Sequence, residues 1–493
     1  MGVIRRVACA VSGGVDSAVS AYLLSKKGFD VVGVYMINWD NVEEGTTTCP
    51  RTKDEADAYE VCRKLDIKCY TVNFVQEYWN HIFSYALLVN YLLKNYVEGR
   101  TVVPDILCNN IIKFDLLHKY AFEKLHVDAV ATGHFVRTTC GNYLEEGDPK
   151  NGVRLLTGLD PLKDQSYFLC GLTQSQLKRS MFPVGSLIKT QVRSIAKSAG
   201  LSVWDKAESM GICFIGKRKN FSSFLDQYLE KNEGVIRNVE DGNELAKHNG
   251  IHHFNIGKRI QVDPSVCQFS MGFYVTSLDY RSKTVWACNG VNHPSLYAKE
   301  FIIKEPSWIA DSPFQNSNTA TVDFRCQRTH PAFRCTIILC PDGNLRVLPK
   351  NPVRAAAPGQ MCVIYRGEEC LGGSEILEIN KFICFVSSKC IHRFENVSAC
   401  ATAGLIGGNN AGNGWGTTGT PNGSASGGDT GKGNGFAGGT RGTAAGKGNG
   451  RGPIGTGGAS GNGRGVRTEG SGNGPKGTGG TMGENGLAIG TGA

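Results

Sequence analysis

The chain contains no run of about 18 or more apolar residues, so it offers no membrane-spanning helix and no membrane partner is expected. Its first residues lack the apolar stretch and cleavage site of a secretory signal. The 18 cysteines, scattered through strand-like and helix-like segments, therefore read as thiols of a reducing compartment and not as a disulfide scaffold. An Arg- and Ser-rich amphipathic presequence is missing too, because Met1–Arg6 runs directly into a strand. Charge imbalance is small: 53 Lys+Arg stand against 44 Asp+Glu, a net +9, which has the sign a polyanion-binding protein needs without proving one. Large apolar residues become rare from about Ala401 onward, where the chain holds over half of its 64 glycines, with seven Lys/Arg and three Asp/Glu. Such a stretch cannot bury enough surface to fold and reads as a disordered, solvated tail.

What remains is ordinary for a globular protein, with 41% hydrophobic and 20% charged residues, and 493 residues are too many for a single core. The first two hundred alternate between strand and helix: Arg6–Val11, a helix over Ser17–Lys27, Asp30–Met36, a helix over Asp54–Leu65, Lys68–Asn73, a helix over Leu116–Leu125, then Ala129–Thr132. That order predicts an α/β fold, a doubly wound parallel sheet covered on both faces, with ligands at the C-terminal strand ends. A shorter mixed stretch follows, with a helix over Asn220–Glu230. From about Met271 the texture turns to short alternating runs separated by turn residues, including 272–278, 284–288, 319–325 and 360–365, which predicts a small antiparallel β-barrel. The expected boundaries are a catalytic domain over 1–210, a small central domain over 211–270, a barrel over 271–385 and a Gly-rich disordered tail over 386–493.

Two constellations carry chemistry. Ser12-Gly13-Gly14-Val15-Asp16-Ser17 follows a buried strand and opens a helix. Small residues let backbone N–H groups approach phosphate oxygens, and the helix N-terminus favours an anion. Asp16 could hold a magnesium ion or position pyrophosphate. The loop lacks the Lys-Ser/Thr ending of a Walker A motif. The second constellation is Cys108, within Val103-Pro104-Asp105-Ile106-Leu107-Cys108, together with Cys213, within Glu208-Ser209-Met210-Gly211-Ile212-Cys213. One thiol that carries sulfur as a persulfide and another that resolves the resulting disulfide are the minimum for thiol-based sulfur transfer. Adjacent His252 and His253, with no Cys-x-x-Cys nearby, read as surface or core residues, so no zinc site is expected.

The loop resembles the PP-loop of the ATP pyrophosphatases, and the cysteine strings are similar to those of the tRNA-specific 2-thiouridylase family. The likeness runs from about Val7 to Ile376 and includes Ala131-Thr132-Gly133-His134-Phe135, Gly158–Leu169, Phe182-Pro183-Val184-Gly185 and Pro358–Tyr365. It implies a PP-loop, adenine-nucleotide-alpha-hydrolase-like first domain that uses ATP with Mg2+ to adenylate the 2-carbonyl of a wobble uridine in tRNA. Cys108 would then be the nucleophile, and Cys213 would carry a persulfide loaded by an upstream sulfur donor. By the same resemblance Ala10, Val11, Ser12, Gly13, Gly14, Val15, Asp16, Ser17, Met36 and Gly133 contact ATP. Pro104 and Asp105 meet the target base, and His134, Lys163, Asp164, Gln165, Arg325 and Gln360 touch tRNA. Val103 departs from the family's usual Asn and cannot supply that amide's hydrogen bonds. Asn38-Trp39-Asp40 and Glu77-Tyr78-Trp79-Asn80 resemble the mitochondrial branch, which implies a mitochondrial location, with the cytoplasm as the alternative. Two other readings stay open: a catalytically silent tRNA-binding protein, and a PP-loop ligase or amidating enzyme acting on a small metabolite.

Overall fold

The computed structural model describes residues 4–39, 50–83, 92–148, 152–208, 221–263, 265 and 271–381. Cys213 and the Gly-rich tail lie outside the described residues. Strand β1 (Arg6–Ala10) is apolar along four consecutive positions because neighbours flank it on both edges and helices cover both faces. It pairs in parallel with β2 (Asp30–Ile37), which continues to β3 (Lys68–Asn73). On its other edge lies β4 (Ala129–Ala131), and one strand from farther along completes the sheet.

The hairpin β5 (Val136–Thr138) and β6 (Leu155–Thr157) leaves the sheet, and β7 (Ser180–Met181) returns to it beside β4. The order is thus β3-β2-β1-β4-β7, and the chain reverses direction across the sheet between β1 and β4. Helix α1 (Val15–Lys26) follows β1 directly, and α2 (Pro50–Lys64) precedes β3. A long helical stretch, α3, runs from Pro104–Leu107 through a π-helical Cys108–Leu116 into Leu117–Lys124. Helix α4 (Lys189–Ser198) packs against α1 through Val19, Val192 and Ala196, all fully buried.

The central region is a second sheet of β8 (Gly234–Asn238), β9 (Glu244–His248), β10 (Arg259–Ile260), β11 (Phe273–Asp279) and β12 (Thr284–Asn289) in the order β10-β11-β12-β8-β9. The runs 272–278 and 284–288 therefore belong here and not to the barrel, which corrects the expected 270/271 boundary. The boundary falls after Asn289. The reason is physical: half-buried antiparallel strands alternate in the same way in either sheet, and only the parallel pairing of β12 with β8 assigns them. The central helix is also shorter than expected, spanning Phe221–Leu225.

The third layer is built from β13 (Tyr297–Lys304), β14 (Thr319–Arg325), β15 (Phe333–Leu339), β16 (Asn344–Pro349), β17 (Val353–Arg354), β18 (Met361–Arg366) and β19 (Glu369–Lys381). Antiparallel pairings run β13-β16-β15-β14-β18-β19 and close from β19 back to β13, giving a barrel filled by Phe301, Phe324, Ile337, Val347 and Ile364. Closure leaves the six strands no unpaired edge. The β5–β6 hairpin of the first domain attaches to β19, pairing Leu155 with Cys370 and Leu156 with Glu369. Around that junction Ile106, Phe114 and Tyr167 share one apolar core with Val363, Tyr365 and Cys370.

Candidate active site

The sheet reverses between β1 and β4, and in open α/β sheets such a reversal point is where a ligand crevice lies, at the C-terminal ends of the two strands. Ser12–Gly14 forms one wall and Thr132–His134 the other. Ser17 holds the first loop in shape: its Oγ accepts from Ser12 N at 3.1 Å, lies 3.1 Å from Ser12 Oγ and donates to Gly14 O at 3.1 Å. The remaining amides at the start of α1 have no intrahelical acceptor, which is the donor set an anion needs. Gly13 has φ +71°, and a Cβ there would lie 2.1 Å from the Asp54 carbonyl oxygen of α2. Gly133 allows the second loop to close on α1, since a Cβ would lie 2.7 Å from Ser17 N. Met36, at the end of β2, packs beside Ala10 in the same core.

Three lysines that sequence reasoning did not connect, or assigned elsewhere, converge on this loop. Lys189, the first residue of α4, is buried, and its Nζ donates to both oxygens of Asp16 at 2.6 and 2.7 Å. Burial pushes the Asp16 carboxyl above the usual carboxylate range, and Lys189 pulls it back. Lys206 donates to Gly13 O at 2.8 Å and to the carboxylates of Asp54, at 2.7 Å, and Asp57. Burial works against that ammonium, but the two carboxylates hold it above lysine's ordinary value. Glu208, five residues before Cys213, bridges Lys163 at 2.5 Å and Lys189 at 3.4 Å. The Lys163 hydrogen bond, chiefly, lowers the Glu208 carboxyl. The arrangement gives the crevice cations for a polyphosphate, plus a carboxylate and two hydroxyls, the hard oxygen set that suits magnesium.

Cys108 is buried where α3 changes from α- to π-helical geometry, one turn after Pro104, whose fixed φ suits the first helical position. Asp105, on the same turn, has its carboxyl raised by burial, with the Lys113 charge opposing. Val103 precedes the helix without a side-chain cap.

The other expected contact residues are placed by internal partners. His134 is buried with Nδ1 2.8 Å from Thr132 Oγ1, and burial drives its pKa well below the ordinary histidine value. Buried Asp164 accepts from Gly158 N at 3.0 Å, Ser166 N at 3.1 Å and Arg325 Nη1 at 2.7 Å. Gln165 Oε1 accepts from Phe135 N at 2.9 Å, and Gln360 Oε1 accepts from Ala357 N at 2.9 Å. Asp164 and Arg325 thus form the joint between the first domain and the barrel.

Three family models match successive parts of the chain: the tRNA methyl transferase HUP domain over residues 5–217, the tRNA methyl transferase PRC-barrel domain over 222–289 and the aminomethyltransferase β-barrel domain over 298–376. The middle match ends with β12. A Caenorhabditis elegans protein described as a probable mitochondrial tRNA-specific 2-thiouridylase 1 is 49% identical over 379 residues, covering 76% of this chain and 99% of that one. The chain belongs to the tRNA-specific 2-thiouridylase family. Other 2-thiouridylases are similar along the same length: the mitochondrial one of Drosophila melanogaster is 40% identical, covering 76% of this chain and 95% of its own. That of Shigella boydii is 40% identical, with 76% and 96% covered. The part of this chain outside that shared length includes the Gly-rich tail. The Ser12–Ser17 loop and the Pro104–Cys108 turn fall within the first matched domain, as does Cys213, which lies outside the described residues.

Proposed function

We propose that this chain is an ATP-dependent sulfurtransferase that converts the wobble uridine of tRNA to 2-thiouridine. The observation that carries the reading is the phosphate loop Ser12–Ser17 at the sheet's reversal point, in a chain aligned with 99% of a 2-thiouridylase. An ATP-binding loop together with Cys108 suits the thiolation of the relatives better than the methyl transfer in the family-model descriptions, since methyl transfer needs neither.

In this reading the uridine is turned out of its stack so that O2 can reach the α-phosphorus of ATP. The O–P bond forms and pyrophosphate leaves. Lys189 and Lys206 bind the phosphates, and Asp16 would hold the magnesium that accompanies ATP, which would supply charge neutralisation of the departing pyrophosphate. The terminal sulfur of a Cys213 persulfide becomes bonded to C2, and AMP leaves with the C–O bond. Cys108 takes the inner sulfur as the persulfide bond breaks, leaving a Cys108–Cys213 disulfide that an external dithiol reduces. Attack by the persulfide or by hydrosulfide released at Cys108 gives the same balance. Pro104 and Asp105 position the base, and Lys163, with the surface that Asp164, Gln165, His134, Arg325 and Gln360 hold in place, meets tRNA. A mitochondrial location, as in the names of the eukaryotic relatives, and a persulfide-donating partner complete the proposal.

The decisive experiment is thiolation of a wobble-uridine tRNA transcript by purified protein with ATP, magnesium and a persulfide source, beside Cys108→Ala and Cys213→Ala, read by retarded migration in a mercury-containing gel. Retarded tRNA with wild type and little or none with either variant is the expected result. Folded protein that binds tRNA yet yields neither thiolated product nor AMP would instead establish a silent binder.

A further inference from the structure

His252 and His253 occupy a single 3-10 turn, Ile251–His253, that follows β9 in the central sheet. Both imidazoles point the same way: His252 Nε2 lies 2.9 Å and His253 Nε2 2.7 Å from the same atom, Asp226 Oδ1. The three atoms lie within 4.8 Å of one another. This is the one group of three or more such side chains that converges in this way among the described residues. The spacing matters, because ligands about 2.0–2.1 Å from a tetrahedral metal are separated by about 3.3 Å, so a small outward shift of each group admits an ion.

We propose that Asp226, His252 and His253 form a zinc site. Two imidazoles and one carboxylate are borderline ligands that suit zinc and leave one position for water, whereas magnesium and calcium favour all-oxygen sets. Charge and access fit as well. The His252 ring is 4% exposed, so one ligand is fixed in the core, while Asp226 at 46% and His253 at 29% face solvent and provide an entry path. Each imidazole, now presenting Nε2–H to the carboxylate, moves that proton to Nδ1 and offers its Nε2 lone pair, so the exchange leaves the protein's charge unchanged.

The position indicates what such an ion would do. Asp226 directly follows the helix Phe221–Leu225, whose Phe224 and Leu225 pack in the first domain's core with Trp39 and Tyr78. His252 and His253 belong to the central sheet's 3-10 turn. A metal would clamp the first domain's core to the central sheet.

The test uses the full chain, stripped with a chelator, passed through a desalting column and titrated with Zn2+ and, separately, Co2+. Asp226→Asn and His253→Gln change partly exposed groups and so keep the fold, which melting curves without metal would verify. One equivalent of Zn2+ that raises the melting temperature of wild type is expected, with affinity lowered at least about tenfold in both variants. Co2+ should give visible d–d bands without thiolate charge transfer, which separates this site from the 18 cysteines. Equal affinity in wild type and variants, a thiolate spectrum, or no binding would each overturn the site.

Discussion

Lys189 and Asp16 are 173 positions apart in sequence and 2.6 Å apart in the fold. Nothing in a lone lysine advertises that partnership, which is why the Ser12–Ser17 loop stood out from six contiguous residues while the lysines beside it did not. Lys189→Met should lower tRNA-dependent pyrophosphate release on the order of 100-fold, since a preorganised cation at developing charge is typically worth that much. A loss confined to ATP affinity, with turnover intact, would reduce Lys189 to a ground-state contact. The buried imidazoles make a second expectation. Burial, aided by the Arg179 charge, lowers His118 to about 4, and burial chiefly lowers His134. Free histidine titrates near 6.5. In the interval between, the unfolded chain binds more protons than the folded one, so the contribution to stability is complete above about pH 6.5 and is lost as pH falls through the folded values. The melting temperature should drop over that interval, and His118→Asn, whose side chain takes up no proton there, should flatten part of the slope.

At the scale of elements, the parallel sheet was legible because an apolar strand followed at once by a glycine turn and a helix has few other solutions. The barrel's first strand was not, since β11 and β12 carry the same alternation as β13 and β14, and partner choice is a property of the whole sheet. The Asp226–His252–His253 grouping was hidden for a related reason: adjacent histidines have no ligand spacing of their own until a 3-10 turn aims them together. Close packing of the two loops on α1 gives a sharp expectation. Gly133→Ala must push the 132–134 loop off the backbone of Asp16 and Ser17. ATP with magnesium should raise the melting temperature of wild type and leave that of Gly133→Ala almost unmoved, each read against the same protein without nucleotide. An equal shift in both would mean that the loop yields at little cost.

At the scale of the molecule, the last matched family domain ends at residue 376. The alignment that covers 99% of the C. elegans protein takes in only 76% of this chain. Protein shortened to residues 1–385 should therefore thiolate tRNA within about twofold of the full chain, because a few charges spread along a Gly-rich sequence act weakly on a polyanion and are screened by salt. The joint between first domain and barrel is another matter. Arg325→Met would leave the 2%-exposed Asp164 carboxylate without its cation, at a cost of about 3 kcal/mol read from denaturant melts. That joint also has a bearing on synthesis. The β5–β6 hairpin leaves the ribosome more than two hundred residues before β19, the strand on which it docks. Until then its outer edge stays open to pairing with other chains, so a nascent first domain is an aggregation-prone intermediate that a chaperone would have to shield, and rapid translation of the barrel would shorten the exposure.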